Sequence, residues 1–179
     1  MDIIKKIKEK DMVTYSHSLN VSKLCYQFSL FLGKPQEYAE LMRVAGLFHD
    51  AGKLMIPDEI LNKPSRLTED EFVVMKSHAL NGAMFFLNDM PEIVRNVAYG
   101  HHLSYVGGGY PDANISGDEI PLEARIAAVC DVYEALTAKR QYKEGKTTEE
   151  AIAIMNQMNS LDPTLRASFI EMLMEEKAC

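Results

Sequence analysis

No apolar run in this sequence approaches the roughly 20 residues that a helix needs to cross a bilayer. The opening stretch, Met1 to Lys10, carries too many charges for a secretory signal. Only three cysteines occur, Cys25, Cys130 and Cys179. They are far apart and odd in number, which argues against a disulfide framework and fits reduced thiols in the cytoplasm. Basic residues are outnumbered: 19 Lys and Arg stand against 26 Asp and Glu, for a formal net charge of −7. That deficit argues against binding along duplex nucleic acid, which takes many cations. A small anionic ligand held by a few local cations and metal ions remains compatible with it. Repeats, low-complexity tracts, linkers and strand patterns longer than a few residues are also missing. What remains is a chain of 179 residues, 47% hydrophobic and 25% charged, the size and composition of one globular domain.

The apolar pattern is helical almost throughout. Val21, Leu24, Cys25, Phe28, Phe31 and Leu32 fall at helix spacing, and Gly33 with Pro35 ends that helix. His17 lies four residues before Val21, on the same inward face. Leu41, Ala45 and Phe48 mark a second helix, with His49 following on its buried side. Residues 51–67 read as an irregular loop containing Gly52, Pro57 and Pro64. Thr68 to Glu71 is a capping box opening a third helix, whose stripe is Phe72, Met75, Ala79, Gly82 and Phe86, with His78 at its edge. Pro91 starts a fourth helix running to about His101. Residues 103–120, with four glycines and two tyrosines, form a loop. Pro121 opens a fifth helix, apolar on most sides. Thr147 to Glu150 and Asp162-Pro163 start two closing helices. The expected fold is all-α, a single-domain bundle of about seven helices over residues 1–179.

The polar residues inside that pattern carry the chemistry. Five histidines, His17, His49, His78, His101 and His102, each fall at a helix end or on an inward side. One such histidine is usually a core residue with its hydrogen bonds satisfied; five together point to ligands. Asp50 places a carboxylate beside His49. Asp131 is the only residue between Arg125 and Glu134 that is charged at neutral pH, in an apolar helix, and a buried unpaired carboxylate is costly unless a cation neutralises it. Imidazole nitrogen with carboxylate oxygen suits iron, manganese, zinc, cobalt or nickel over magnesium or calcium. Seven such ligands exceed one site but suffice for two ions bridged by one carboxylate, roughly 3.5–4 Å apart, which can clamp a phosphate and generate hydroxide at neutral pH.

The order and length of the motifs go further. His17-Ser18, His49-Asp50-Ala51-Gly52-Lys53, Ile56 to Pro64, Leu67-Thr68, Met75 to His78, His101-His102, Gly107 to Pro111, Ile120 to Ile126, Asp131 to Thr137 and Arg140 to Lys143 together resemble the HD-GYP branch of the HD superfamily of metal-dependent phosphohydrolases. The match runs over about residues 15–145, with 146–179 as closing helices. The resemblance implies a phosphodiesterase for cyclic dinucleotides, chiefly cyclic di-GMP, giving the linear dinucleotide or GMP. It implies His17, His49, Asp50 and Asp131 around one metal and His78, His101 and His102 around the other, with Asp50 bridging. The metals expected are two divalent ions, iron or manganese first, with zinc, nickel or cobalt as substitutes. Lys53 would face the phosphate or protonate the leaving oxygen, so Lys53 and Asp50 are the catalytic candidates. Tyr110, Gly109, Arg140 and Lys143 fall where the family contacts substrate.

Two departures stand out. Leu103 follows the paired histidines where the family has an acidic residue, and Val106 stands where it has Asp, which puts the loop's internal hydrogen bonds in question. Some members also bind a third ion through a glutamate one turn before the first histidine. Val13 occupies that position here and offers no donor atom, so two metals are expected. The alternatives are an HD phosphohydrolase acting on another nucleotide, or a weakly active cyclic-dinucleotide-binding signalling module. Such domains are commonly joined to a sensor or receiver domain, which this sequence does not show; the expected partners are the cyclic dinucleotide and a second copy or a separate regulatory protein, in the cytoplasm and away from the membrane.

Overall fold

The computed structural model describes residues 3–85, 89–139 and 144–178. Among the described residues the chain forms nine α-helices, two short 3-10 turns and no strand. The helices are α1 (Ile3–Lys10), α2 (Met12–Phe31), α3 (Gln36–Phe48), α4 (Asp58–Leu61), α5 (Glu69–Phe85), α6 (Glu92–Gly100), α7 (Leu122–Thr137), α8 (Thr148–Met155) and α9 (Pro163–Ala178). The 3-10 turns are Ala51–Met55 and Gly117–Glu119.

Local chemistry places the helix ends. Pro35, Pro57, Pro91 and Pro121 each occupy the position just before a helix, where a missing N–H costs nothing. Thr68 and Glu71 exchange the reciprocal bonds of a capping box, as do Thr147 and Glu150. Asp162 accepts from the backbone of Thr164 and Leu165 at the start of α9. Helix α2 ends in a Schellman motif: Lys34 N–H reaches Ser29 O, Gly33 N–H reaches Leu30 O, and Gly33 takes φ +69°.

Helices α2, α3, α6 and α7 wrap one core. Val21, Cys25 and Phe28 from α2 meet Met42 and Ala45 from α3, Val94 and Val97 from α6, and Ile126 and Val129 from α7. Phe28 also packs edge to face on Phe169 of α9, with centroids 5.0 Å apart. Because α7 is buried on most sides, a polar side chain on it has no solvent to reach, and Asp131 and Glu134 must find partners inside.

Two helices exceed the seven that the apolar pattern suggests. Helix α1 precedes Asp11, and α4 is a single turn within the segment read as an irregular loop, which also contains the first 3-10 turn. Along α5, Ala79 and Gly82 are buried as expected, but Phe72 is 47% exposed. Phe86 lies outside the described residues.

One close approach delivers the site. A Cβ on Gly52 would lie 1.9 Å from His78 O and 2.6 Å from Gly82 N, so only glycine lets the turn after Asp50 lie directly on the α5 backbone. Gly52→Ala therefore forces the turn off α5, at a cost of roughly 3 kcal/mol. Gly33→Ala meets nothing within 4 Å and costs only its left-handed backbone, roughly 1 kcal/mol. Urea unfolding of the two variants checks this; equal losses would contradict the crossing.

Candidate metal centre

Four of the five histidine rings are oriented by a hydrogen bond at Nδ1. His49 Nδ1 is 2.8 Å from Gly46 O, His78 Nδ1 2.8 Å from Met75 O, and His101 Nδ1 2.9 Å from Val97 O. A carbonyl only accepts, so each Nδ1 carries the hydrogen and each Nε2 is left with a lone pair aimed inward. His17 makes the same kind of bond to a carboxylate, Nδ1 against Glu134 Oε2.

The inward nitrogens crowd one another. His78 Nε2 and His101 Nε2 are 3.3 Å apart, and burial lowers the pKa of both rings, favouring the neutral form. Two bare lone pairs at that distance repel unless a cation lies between or beside them. His17 Nε2 stands 3.2 Å from His49 Nε2 and 2.9 Å from Asp131 Oδ1.

Asp50 sits between the two groups and is 2% exposed. Its Oδ2 is 2.6 Å from Lys53 Nζ, 3.4 Å from His49 Nε2 and 3.8 Å from His17 Nε2. Its Oδ1 faces the other way, 3.4 Å from His78 Nε2 and 4.0 Å from His101 Nε2, and has no hydrogen-bond partner. Within the described residues, donor atoms of His17, His49 and Asp50 lie within 4.8 Å of one another, and so do those of His78, His101 and His102. Asp131 joins the first group through His17 and lies 3.8 Å from His49 Nε2.

The charges agree with a cation site. Burial would raise the Asp50 carboxyl, but Lys53 and His49 hold it well below its ordinary value. Burial opposes Asp131 in the same way, and the hydrogen bond from His17 keeps it ionised. Burial pushes His102 down to about 4. His17 moves the other way: burial lowers it, but its hydrogen bonds to the Asp131 and Glu134 carboxylates bring it to about 10. Ionised carboxylates with neutral rings are the protonation state a metal requires. The demand at His17 is for positive charge, which a proton or a metal ion satisfies. The orphaned Asp50 Oδ1 and the facing lone pairs thus fit resident cations.

A cleft of about 330 Å³ opens on these groups, with His17, Asp50, Lys53, His102 and Asp131 in its lining. Asp11 also borders it, but its carboxylate caps α2, accepting from the backbone of Val13 and Thr14 and from Thr14 Oγ1. Val13, at the position discussed for a third ion, lines the cleft 56% exposed.

Residues Gly107–Pro111 fold back over His102. Tyr110 N–H donates to His102 O at 3.1 Å, and the two rings lie 4.6 Å apart at 33°. A Cβ on Gly109 would meet Ser104 N at 2.3 Å and His102 O at 2.6 Å, so what its bareness permits is contact with the chain's own backbone. Phe72 and Lys76 of α5 complete this wall, Lys76 Nζ lying 5.0 Å from the Phe72 ring centre and 5.9 Å from that of Tyr110. Leu103 packs on Ile120 and Ala124, and the loop keeps backbone bonds from Gly107 to Ser104, Gly108 to Ala113 and Gly117 to Tyr105. Val106 is exposed. Arg140 and Lys143 lie outside the described residues. Glu134 was not singled out in the sequence; its signal was its place three residues after Asp131, on the same face of α7.

Manganese(II) should raise the melting temperature of the chain by an increment that grows with ion concentration and vanishes on chelation. Asp131→Asn should shrink that increment, because a neutral amide is a poorer ligand. Equal increments in both proteins would remove Asp131 from the cation site.

Comparison with known proteins agrees with the geometry. The HD domain family matches residues 3–165. A cyclic di-GMP phosphodiesterase of Pseudomonas aeruginosa, PA4108, is 38% identical over 93% of this chain and 41% of its own length. The 3′3′-cGAMP-specific phosphodiesterase 2 of Vibrio cholerae is 33% identical over 80% of this chain and 28% of its own length. The chain thus spans less than half of these relatives. The crystal structure of the PgpH phosphodiesterase HD domain of L. monocytogenes with cyclic-di-AMP superposes with a TM-score of 0.69, covering 98% of this chain and 94% of that one at 22% identity, which shows the shared fold. With its central histidine-aspartate pair His49-Asp50 set between two groups of imidazoles, the chain belongs to the HD domain family.

Proposed function

We propose that this domain is a metal-dependent phosphodiesterase that opens the 3′–5′ phosphodiester of cyclic di-GMP. The observation that carries the reading is the Asp50 carboxylate, whose two oxygens face two separate groups of nitrogen donors. His17, His49, Asp131 and Asp50 Oδ2 would hold one divalent ion, and His78, His101, His102 and Asp50 Oδ1 a second. Iron or manganese suits this set best, and zinc, nickel or cobalt are substitutes. Ions bound there supply Lewis acidity toward the phosphate and bring the acidity of water near neutrality.

The chain's own groups do the rest. The Nδ1 bonds hold the rings still, so their nitrogens need no reorganisation when the substrate arrives. Lys53 sits in the cleft with its Nζ on Asp50 Oδ2, its side chain 24% exposed. It faces the incoming phosphate and supplies the proton that the departing 3′ oxygen takes as the P–O bond breaks and a hydroxide oxygen, left when water gives its proton to solvent, bonds to phosphorus. Tyr110 offers a ring face to a base, Gly109 lets that ring approach His102, and Arg140 and Lys143 are assigned to substrate contact on the family resemblance. The product is the linear dinucleotide or GMP. The similarity to the V. cholerae enzyme favours the mixed guanine–adenine cyclic dinucleotide as the second substrate. Among the described residues no helix is long and apolar enough to cross a membrane. We assign the domain to the cytoplasmic nucleotide pool, under control of a second copy or a regulatory partner.

Turnover of cyclic di-GMP by protein purified anaerobically and loaded with iron or manganese tests the reading, with cGAMP and other nucleotides as comparison substrates. Binding without turnover would make the domain a sensing module instead. Lys53→Ala should keep its metal content and lose turnover on the order of 100-fold or more; undiminished turnover would remove Lys53 from the mechanism. Two ions per chain are expected from elemental analysis, and Val13→Glu, which places a carboxylate one turn before His17, should raise that content toward three. A content of three in the unaltered chain would contradict the assignment.

A further inference from the structure

We propose that Glu134 is a positioning residue that makes the His17 half of the centre the tighter of its two metal positions. The inference rests on the two-metal reading above and concerns how the two positions differ.

Three of the rings are backed by neutral carbonyls, those of Gly46, Met75 and Val97. His17 alone among these four is backed by a carboxylate, that of Glu134. Glu134 is 4% exposed and lies one turn beyond Asp131 on α7. Its other oxygen, Oε1, accepts from Asn20 Nδ2 at 2.9 Å, and Asn20 lies three residues after His17 on α2. The carboxylate is therefore gripped from two positions on α2 and cannot swing away from Nδ1 without breaking both bonds.

A hydrogen bond to an ionised acceptor is roughly twice as strong as one to a neutral acceptor. It draws the Nδ1 hydrogen outward, which puts more electron density on Nε2 and makes the ring a better donor to a cation. The charge distribution acts in the same sense. Around His17 and His49 stand Asp131 and Glu134 in addition to the shared Asp50. Among the described residues, the carboxylate oxygen within 4.0 Å of His78 Nε2 and of His101 Nε2 is Asp50 Oδ1, while Asp131 and Asp50 act on His102 through charge alone. Two buried anions beyond the shared one need a cation in the first half more than neutral rings do in the second.

Manganese(II) titration of the full chain, followed by the electron paramagnetic resonance of the free ion, tests this without reference to turnover. The unaltered chain should bind two ions in a tighter and a weaker class. Glu134→Gln keeps an acceptor oxygen but no charge, and should weaken the tighter class about 10-fold. Glu134→Ala should weaken it about 100-fold, while leaving the other class in place. Asn20→Ala, which only loosens the grip, should fall between the unaltered chain and Glu134→Gln. His102→Ala weakens the opposite half, so in that background one tight ion should remain and Glu134→Ala should release it. The proposal is overturned if Glu134→Ala leaves both classes unchanged. It is equally overturned if both classes weaken together with a fall in the melting temperature of the ion-free protein, since that marks a purely structural role. An unaltered chain that takes up no manganese would instead overturn the two-metal reading itself, and this inference with it.

Discussion

The structure is organised around a carboxylate that has been taken out of water. Asp50 is buried, and burial of an ionised group is tolerated only where opposite charge or directed hydrogen bonds replace the solvent. Lys53 serves one of its oxygens and the other has no hydrogen-bond partner. Five helices bring donors to that point: α2 supplies His17, α3 ends at His49, α5 carries His78, α6 ends at His101 and His102, and α7 carries Asp131. Removing a cation from such an arrangement leaves lone pairs facing one another at 3.3 Å, so in the proposed reading metal affinity and folding stability are one quantity.

The precision of the centre comes from the backbone more than from side-chain packing. A carbonyl three or four residues back along the same helix is in a set place relative to a histidine, and it takes the Nδ1 hydrogen of His49, His78 and His101. Each helix thus brings its own orienting group, and the helices need only be packed in register. Gly52 provides that register for the turn after Asp50 by lying directly against α5. Glu134 differs in kind, because its bond to His17 joins α7 to α2 across 117 residues of sequence.

Much of this was legible in the sequence for local reasons. Capping boxes at Thr68 and Thr147, prolines before helices and Gly33 after α2 all act within a few residues, so reading them needs no knowledge of the fold. The five histidines stood out by lying at helix ends or on inward faces, Asp50 by its place beside His49 and Asp131 by interrupting an apolar helix, and the structure brings those side chains together. Less legible were elements that depend on distant contacts. Helix α4 is one turn long and gains nothing from periodicity, and α1 holds its place by packing on α2 and the first 3-10 turn. Phe72 follows the stripe of α5 but is exposed, since periodicity reports a face without saying what covers it. Glu134 reads as an ordinary charged residue near a helix end until α2 is set beside it.

The central claim is that Asp50 bridges two metal ions. Anomalous diffraction from a crystal grown with manganese(II) tests it most directly. The account predicts two peaks, one on each side of the Asp50 carboxylate, the first against His17, His49 and Asp131 and the second against His78, His101 and His102. A single peak, or peaks that leave either Asp50 oxygen without an ion, would contradict it.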